Sequence, residues 1–476
     1  MTGRVRTQPG LVPDLRELAR VGEVHFMGIG GAGMSALAEL VLHGGGRVSG
    51  CDSSGGENLE RLRELGATLL GGHDPAHARA ATALVVTAAV PADHPELAAA
   101  HELGVPVFKR AQALGAIVNR GTVVAVAGTH GKTTTTTMIA AILAEAGRDP
   151  TALVGGRVAE WGSGLRVGRD DLFVVEADEY DHSFFTLAPQ LVVLTSVEAD
   201  HLDIYGDLAG VESAFHEFLE LVPQRGIVIA CADDPGVRRV VGNLPRELHW
   251  FGTAEHAGLR AIHIRQAGGR STFDVQHGHQ LMGQVELSLP GEHNVRNALG
   301  AIAAGLALGV PFAAAQRVLA TFTGVARRFE PVGNAAGISF IDDYAHHPTE
   351  VAATLEAARA AYPGARIVAV FQPHLYSRTR DLAAEFGRAL AGADVVYLTG
   401  IYPAREAPIA GVTAELLVSA ARHANARDVR YHQTLAELER ALASELRAGD
   451  VCIGMGAGDI DGAVRRVCRR LQRGEQ

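Results

Sequence analysis

Lysine is almost missing from this chain: of 43 basic residues only Lys109 and Lys132 are lysine, and the rest are arginine. Basic charge as a whole is outnumbered by 53 acidic residues, which gives a net charge of −10. That balance leaves no general cationic surface for nucleic acid and favours small phosphorylated ligands held at a local anion site. Long apolar runs are missing as well. No uninterrupted stretch approaches the about 18 residues of a membrane span. The opening MTGRVRTQPGLVPDL has Gln, Pro and Asp where a signal core would be apolar. A cytoplasmic protein without membrane insertion is therefore expected. Cysteine is scarce and scattered, at Cys51, Cys231, Cys452 and Cys468, with no C-x-x-C spacing. Reduced, buried small residues are expected there rather than disulfides or zinc ligands.

What the chain does contain is organised around TVVAVAGTHGKTTTTT at 122–137, where an apolar β-type run breaks into glycines, a lysine and five threonines. It reads as strand, phosphate loop and helix start. Gly128 and Gly131 allow the tight turn, backbone N–H groups face an anion, and the helix adds its positive dipole end. The strict G-x-x-x-x-G-K-[ST] pattern fails, because Val126 stands where its first glycine belongs. A chain that otherwise uses arginine has nevertheless placed a lysine here, where a compact ammonium suits phosphate. Lys132 is expected to reach the outer phosphates and Thr133 to offer its hydroxyl to Mg²⁺.

At 476 residues the chain has room for about three domains. The first opens with a strand over 24–27 running into Gly28, Gly30 and Gly33, a G-x-G-x-x-G turn, and a second strand ends at Asp52, about where a dinucleotide fold places its ribose-binding acid. The fingerprint suits a nicotinamide dinucleotide and a UDP-sugar equally, since it reports only a helix N-terminus near a diphosphate. Alternating strands and helices continue to Asn119-Arg120-Gly121, the first expected boundary. In the second domain EADEYD and SVEADHLD follow predicted strands, so Glu176 and His201 join Thr133 as candidates for a Mg²⁺ or two-metal site. From Leu259 to Leu289 the apolar period becomes two, an antiparallel meander. Asn294 and Asn297 then share one face of a helix start, where capping and adenine recognition are equally open. A third α/β unit follows TGVARRFEPVG, and there His374, Arg378 and Arg380 form a cationic patch suited to a small carboxylate.

GIGGAGM (28–34), GTHGKTTTT (128–136), EADEYD (176–181), EADHLD (198–203), GEHNVRNALGA (291–301), RRF (327–329), DDYAHHP (342–348), FQPHLYSRTR (371–380) and GAGDI (456–460) stand in one order along the chain. In that order they resemble the Mur ligases, most closely the alanine-adding branch. The resemblance implies an α/β protein of three domains: an N-terminal Rossmann-like domain over 1–120, a central P-loop-type ATPase over 121–327 with a parallel sheet and a small meander, and a C-terminal Rossmann-like domain over 328–476. It implies ATP-dependent ligation of L-alanine to UDP-N-acetylmuramate by a monomer or homodimer, with a tripeptide-adding sibling as the alternative. By position, Gly30, Gly31, Gly33, His73 and Arg110 would hold the UDP-sugar. Gly128, Thr129, His130, Gly131, Lys132, Thr133 and Thr134 would hold ATP phosphates. Thr133, Glu176 and His201 would bind Mg²⁺, Asn294 and Asn297 would read adenine, and Arg328 and Asp343 would reach ATP. Tyr344, His346, His374 and Arg378 would form the L-alanine pocket, and Lys132, Glu176, His201 and Arg328 would be catalytic. Residues 202–220 contain no lysine, so the carbamylated lysine of several Mur ligases has no counterpart, as in the alanine-adding branch.

Overall fold

A computed structural model describes residues 14–474 except 54, 88, 89 and 405. The opening stretch read for a signal core lies, through residue 13, outside the described residues. The chain divides into two compact units, Met1–Phe251 with Gly300–Pro311, and Gly252–Leu299 with Phe312–Gln476.

The first unit holds two sheets. One is wholly parallel, in the order Thr68–Gly71, Arg47–Asp52, Glu23–Met27, Ala81–Val86, Val107–Lys109. Chain order reverses between Glu23–Met27 and Ala81–Val86, which makes the crevice beyond their carboxyl ends the ligand-binding point of a doubly wound sheet. The glycine turn follows the first of these strands. The other sheet runs Glu247–Gly252, Ile227–Cys231, Leu191–Leu194, Thr122–Ala127, Arg169–Glu176, Pro150–Val158, Ser163–Arg166, parallel except for the last pairing. Its central strand is buried from Val123 to Ala127, the continuous apolar run that a parallel strand covered on both faces requires.

Helix Arg110–Val118 locks the first sheet to the second. Asn119 donates Nδ2 to Thr186 O at 2.8 Å and accepts from Ala188 N at 2.9 Å, while the Thr186 hydroxyl donates to Ala111 O at 2.8 Å. The Asn-Arg-Gly stretch expected as a boundary is therefore a packed joint. Gly115 allows the close approach, since a Cβ there would lie 2.4 Å from Thr186 O.

In the second unit the period-two stretch forms the expected antiparallel meander, Leu259–Ala267, Arg270–His277 and Gln280–Leu287, with Phe273, Val275, Val285 and Leu287 fully buried. Its other sheet runs Glu330–Ala335, Ile338–Asp343, Asp450–Met455, Arg366–Phe371, Val395–Thr399, Val429–His432, parallel after an antiparallel first pair. Helix Pro348–Ala361 packs on Leu259–Ala267, tying the meander to this unit. All four cysteines are free and buried. Among the described residues no helix is long and apolar enough to cross a membrane.

Gly115→Ala tests the joint. Overpacking against a backbone carbonyl should lower stability by about 1–3 kcal/mol in urea unfolding; a loss below about 0.5 kcal/mol, the range of a surface change, would mean that the contact is not tight.

Candidate active site

Thr122–Ala127 ends at Gly128, whose φ of +135° and crowding only glycine tolerates: a Cβ would lie 2.2 Å from Thr195 Oγ1. The loop is docked on residues 195–198. Thr129 N donates to Ser196 O at 2.9 Å, His130 N to Ser196 Oγ at 2.9 Å, and the Thr195 hydroxyl to His130 O at 2.5 Å. Glu198 N donates to Thr129 Oγ1 at 2.9 Å, and His130 Nε2 lies 3.1 Å from Glu198 Oε2. Gly131, at φ +80°, precedes helix Lys132–Glu145, in whose first turn Thr133 and Thr134 are buried. Thr136 and Thr137 return their hydroxyls to the carbonyls of Lys132 and Thr133 at 2.8 Å, which lets a threonine run sit in a buried helix.

Lys132 Nζ donates to Gly128 O at 2.6 Å, to Thr129 O at 3.2 Å, and to both oxygens of Glu179 at 2.9 and 2.7 Å. Burial opposes the ammonium charge, but Glu179, Asp178 and Glu176 outweigh it and raise the lysine pKa. Burial also pushes the Glu179 carboxyl up to about 7, against the pull of Lys132. Both carboxylate oxygens accept from Nζ, which holds the proton on the lysine and the pair ionised. Glu179 is the residue that sequence reasoning missed, although EADEYD had marked its segment.

The rest of that segment is also engaged. Glu176 Oε2 accepts from Thr133 Oγ1 at 3.0 Å and from Gly155 N at 2.7 Å, so the expected Thr133–Glu176 pair is present. Asp178 accepts from Arg110 at 3.2 Å and Asp181 from Lys109 at 2.8 Å. His201, at φ +53°, has Nε2 4.0 Å from Glu179 Oε1 and 3.9 Å from Asp200 Oδ2. Its ring stands edge-on to Tyr180, and the Tyr205 hydroxyl donates to the Glu179 carbonyl.

At the other sheet's switch point, Gly30 N donates to Asp52 Oδ2 at 2.8 Å and Asn58 Nδ2 to Gly30 O at 2.8 Å. Asp52, placed by spacing as a ribose-binding acid, here holds the glycine turn. Gly31 precedes helix Ala32–His43. Arg110 lies against Gly33, where a Cβ would be 3.2 Å from its guanidinium. His73 is exposed, with Nδ1 3.2 Å from Cys51 Sγ.

In the second unit Asn297 Nδ2 donates to Asn294 Oδ1 at 3.3 Å and Asn294 Nδ2 to Pro290 O at 2.8 Å. Both amides are thus oriented on one helix face, with Asn294 donating rather than capping by acceptance. Asp343 accepts from Phe329 N and Ala345 N, each at 2.8 Å, while burial lifts its carboxyl to about 6 despite nearby Arg328. The Tyr344 ring lies under Arg327 and Arg328, at 5.0 and 5.1 Å, and Arg328 reaches Glu350 at 3.7 Å. Tyr344, His346 and His374 form a chain of edge-on rings at 5.2 and 5.8 Å, and Arg378 reaches His374 Nδ1 at 3.2 Å. The four expected pocket residues therefore cluster. Arg380, grouped with them by sequence, pairs instead with Asp381 on the surface.

The chain matches three family models in succession: "Mur ligase family, catalytic domain" over residues 23–122, "Mur ligase middle domain" over 126–305, and "Mur ligase, glutamate ligase domain" over 327–458. The chain belongs to the Mur ligase family. Among Mur ligases it is 44% identical to a UDP-N-acetylmuramate–L-alanine ligase of Salinibacter ruber, covering 96% of this chain and 95% of that protein. It is 46% identical to one of Chlorobium phaeovibrioides, over 95% and 98%. Two solved Mur ligase structures share the fold. A UDP-N-acetylmuramate-alanine ligase from Thermotoga maritima gives a TM-score of 0.81 at 29% identity, covering 95% of this chain and all of that one. A murein peptide ligase from Psychrobacter arcticus gives 0.72 at 26%, over 95% and 99%. The expected three-domain α/β Mur ligase architecture holds, and the nicotinamide reading of the glycine turn falls.

His293, beside Asn294, is half-buried, and desolvation of its imidazole with the charge of Arg296 lowers its pKa to about 4 despite Glu350. A folded-state pKa below the unfolded value of about 6.5 means stability fully present above pH 6.5 and lost as pH falls through 4. Between pH 7 and pH 5, wild type should therefore lose more urea stability than His293→Gln; equal losses would place the imidazole in solvent.

Proposed function

We propose that this chain joins L-alanine to the lactyl carboxylate of UDP-N-acetylmuramate, cleaving ATP to ADP and phosphate, in the cytoplasmic synthesis of peptidoglycan precursors. One observation carries the reading: Lys132 and the Thr133–Glu176 pair stand at the start of the threonine helix, in a chain 44–46% identical over nearly its whole length to proteins named for that reaction.

The residues take these parts. Loop N–H groups from Gly128 to Thr134 cradle the ATP phosphates, and Lys132 neutralises charge on the γ-phosphoryl group as it transfers. The carboxylate oxygen attacks phosphorus, ADP leaves, and an acyl phosphate forms. The neutral amine of L-alanine attacks its carbonyl, and phosphate departs to leave the amide. Thr133 and Glu176, with oxygens 3.0 Å apart, supply hard donors that fit Mg²⁺, and His201 is a further ligand in this reading. Bound there, Mg²⁺ offsets phosphoryl charge. Gly30, Gly31, Gly33, His73 and Arg110 take the UDP-sugar, Asn294 and Asn297 the adenine, and Arg328 and Asp343 approach ATP. Tyr344, His346 and His374 line the alanine pocket, with Arg378 suited to the amino-acid carboxylate. Domain limits of 1–120, 121–327 and 328–476 are supported by the three matched segments. A monomer or homodimer remains the reading of assembly.

A tripeptide-adding enzyme is the second reading, favoured by the fold shared with the murein peptide ligase. Phosphate release from Mg-ATP with UDP-N-acetylmuramate should depend on L-alanine and yield the alanyl product by mass. Release only with the tripeptide L-alanyl-γ-D-glutamyl-meso-diaminopimelate would replace the proposal, and no release with either acceptor would end it. Lys132→Ala should lower kcat by at least about a hundredfold while circular dichroism stays native, because Glu179 can take up a proton once the ammonium is gone. Near-normal turnover would remove Lys132 from the mechanism.

A further inference from the structure

A second cluster of reactive side chains, His25, Cys51, His77 and Glu96, lies inside the N-terminal sheet, and none of the four has a part in the proposed ligase reaction. His25 and Cys51 come from adjacent parallel strands, Glu23–Met27 and Arg47–Asp52, with His25 opposite Ser49 in register. Side chains alternate along a strand, so His25, Ser49 and Cys51 share one face. Helices Pro75–Ala80 and Pro95–Leu103, packed on each other, bring His77 and Glu96 to it. His25, Cys51 and Glu96 are fully buried and His77 is nearly so.

We propose that His25, Cys51, His77 and Glu96 form a binding site for a divalent cation of the zinc class. Their ligand atoms all lie within 4.8 Å of one another. Zinc bonds of about 2.3 Å to sulfur and about 2.0–2.1 Å to nitrogen or oxygen put the corners of a tetrahedron about 3.3–3.6 Å apart. Here His25 Nε2 is 3.4 Å from Cys51 Sγ, Sγ is 3.7 and 3.8 Å from the Glu96 oxygens, and His77 Nδ1 is 2.9 Å from Glu96 Oε1. These three of the six edges are within about 0.5 Å of that figure, and the other three are no longer than 4.8 Å. The donor set of one thiolate, two imidazoles and one carboxylate is the mixture that zinc prefers over Mg²⁺. This set stands apart from the hard-oxygen pair proposed for Mg²⁺.

The surroundings are those of a ligand site. Ser49 Oγ lies 3.0 Å from His25 Nδ1, which turns Nε2 towards the cluster. Asp74 N donates to Glu96 Oε1 at 2.7 Å and fixes the carboxylate. His73 stands exposed at the rim, with Nδ1 3.2 Å from Sγ and 3.7 Å from Glu96 Oε1, as a further nitrogen donor. Without metal, burial and the Glu96 charge push the Cys51 thiol up to about 12, and burial lowers His25 to about 4. The empty cluster therefore holds a thiol and a neutral imidazole, and binding is an exchange: the thiol proton leaves to solvent and the sulfur takes the cation. The cation would pin two strands to the two helices that cover them. Scattered cysteine spacing gave no sign of this, because the donors come from four separate elements.

The test uses Co²⁺ on chelator-treated full-length protein in the absence of ATP. One equivalent should give a thiolate-to-cobalt charge-transfer band with ligand-field bands of four-coordinate intensity, displaced by Zn²⁺. Cys51→Ser should abolish the charge-transfer band and Cys231→Ser should retain it. Ser49→Ala keeps every donor and should weaken binding about 10–100-fold. Zn²⁺ should raise the melting temperature of wild type and not of Cys51→Ser. A wild-type spectrum with no thiolate band, or a band that survives Cys51→Ser, would overturn the site and leave a hydrogen-bonded network only. None of these readouts depends on which amino acid is ligated.

Discussion

The largely buried ammonium of Lys132, its side chain 13% exposed, is the constraint on which the first unit's arrangement depends. A charge taken out of water must be matched by opposite charge and by acceptors for its three protons. Glu179 supplies the charge, and the carbonyls of Gly128 and Thr129 supply the remaining acceptors. Turning those carbonyls inward needs the glycine conformation at 128 and the docking of the loop on Thr195 and Ser196. The same acidic segment then ties in the other elements. Glu176 takes the Thr133 hydroxyl, Asp178 takes Arg110 beside the first glycine turn, and Asp181 takes Lys109. Both lysines of the chain thus end on one six-residue segment, EADEYD.

That arrangement bears directly on the proposed chemistry. A lysine held by a carboxylate and two carbonyls is positioned but already occupied, so binding phosphate requires it to exchange Glu179 for a phosphoryl oxygen. Raised by burial to about 7, the Glu179 carboxyl can accept a proton when its partner leaves, which limits the cost of the exchange. In the second unit Asp343 also holds a raised carboxyl, fixed by two backbone donors and faced by Arg328. Tyr344, His346, His374 and Arg378 pack into one polar cluster there. Charge in both units is placed through backbone donors and rigid turns, which keeps the groups in register before substrate arrives.

Much of this was legible in the sequence because local chemistry dictated it. The apolar runs at 122–127 and 366–371 are buried parallel strands, the period-two stretch is a meander, and the Gly-Lys-Thr turn opens a helix. Motif order was sufficient for the family and for the placement of the Thr133–Glu176 pair. What escaped detection depended on long-range pairing. Strand Pro150–Val158 contains paired glycines and a register shift beside Leu153, so its pattern is weak. Glu179 looks like any loop acid until Lys132 folds back across 47 residues to meet it. Asp52 had the spacing of a ribose ligand, yet its carboxylate is used to hold Gly30. His25, Cys51, His77 and Glu96 share no spacing at all and meet only once the sheet and its helices are built.

The central chemical claim is that a substrate carboxylate oxygen attacks the γ-phosphorus beside Lys132. The most direct test is turnover of UDP-N-acetylmuramate labelled with ¹⁸O in its lactyl carboxylate, with the released phosphate analysed by mass. An acyl phosphate route carries one labelled oxygen into the phosphate for every amide formed. Phosphate without label would show that ATP cleavage and amide formation proceed by another path, and would contradict the account.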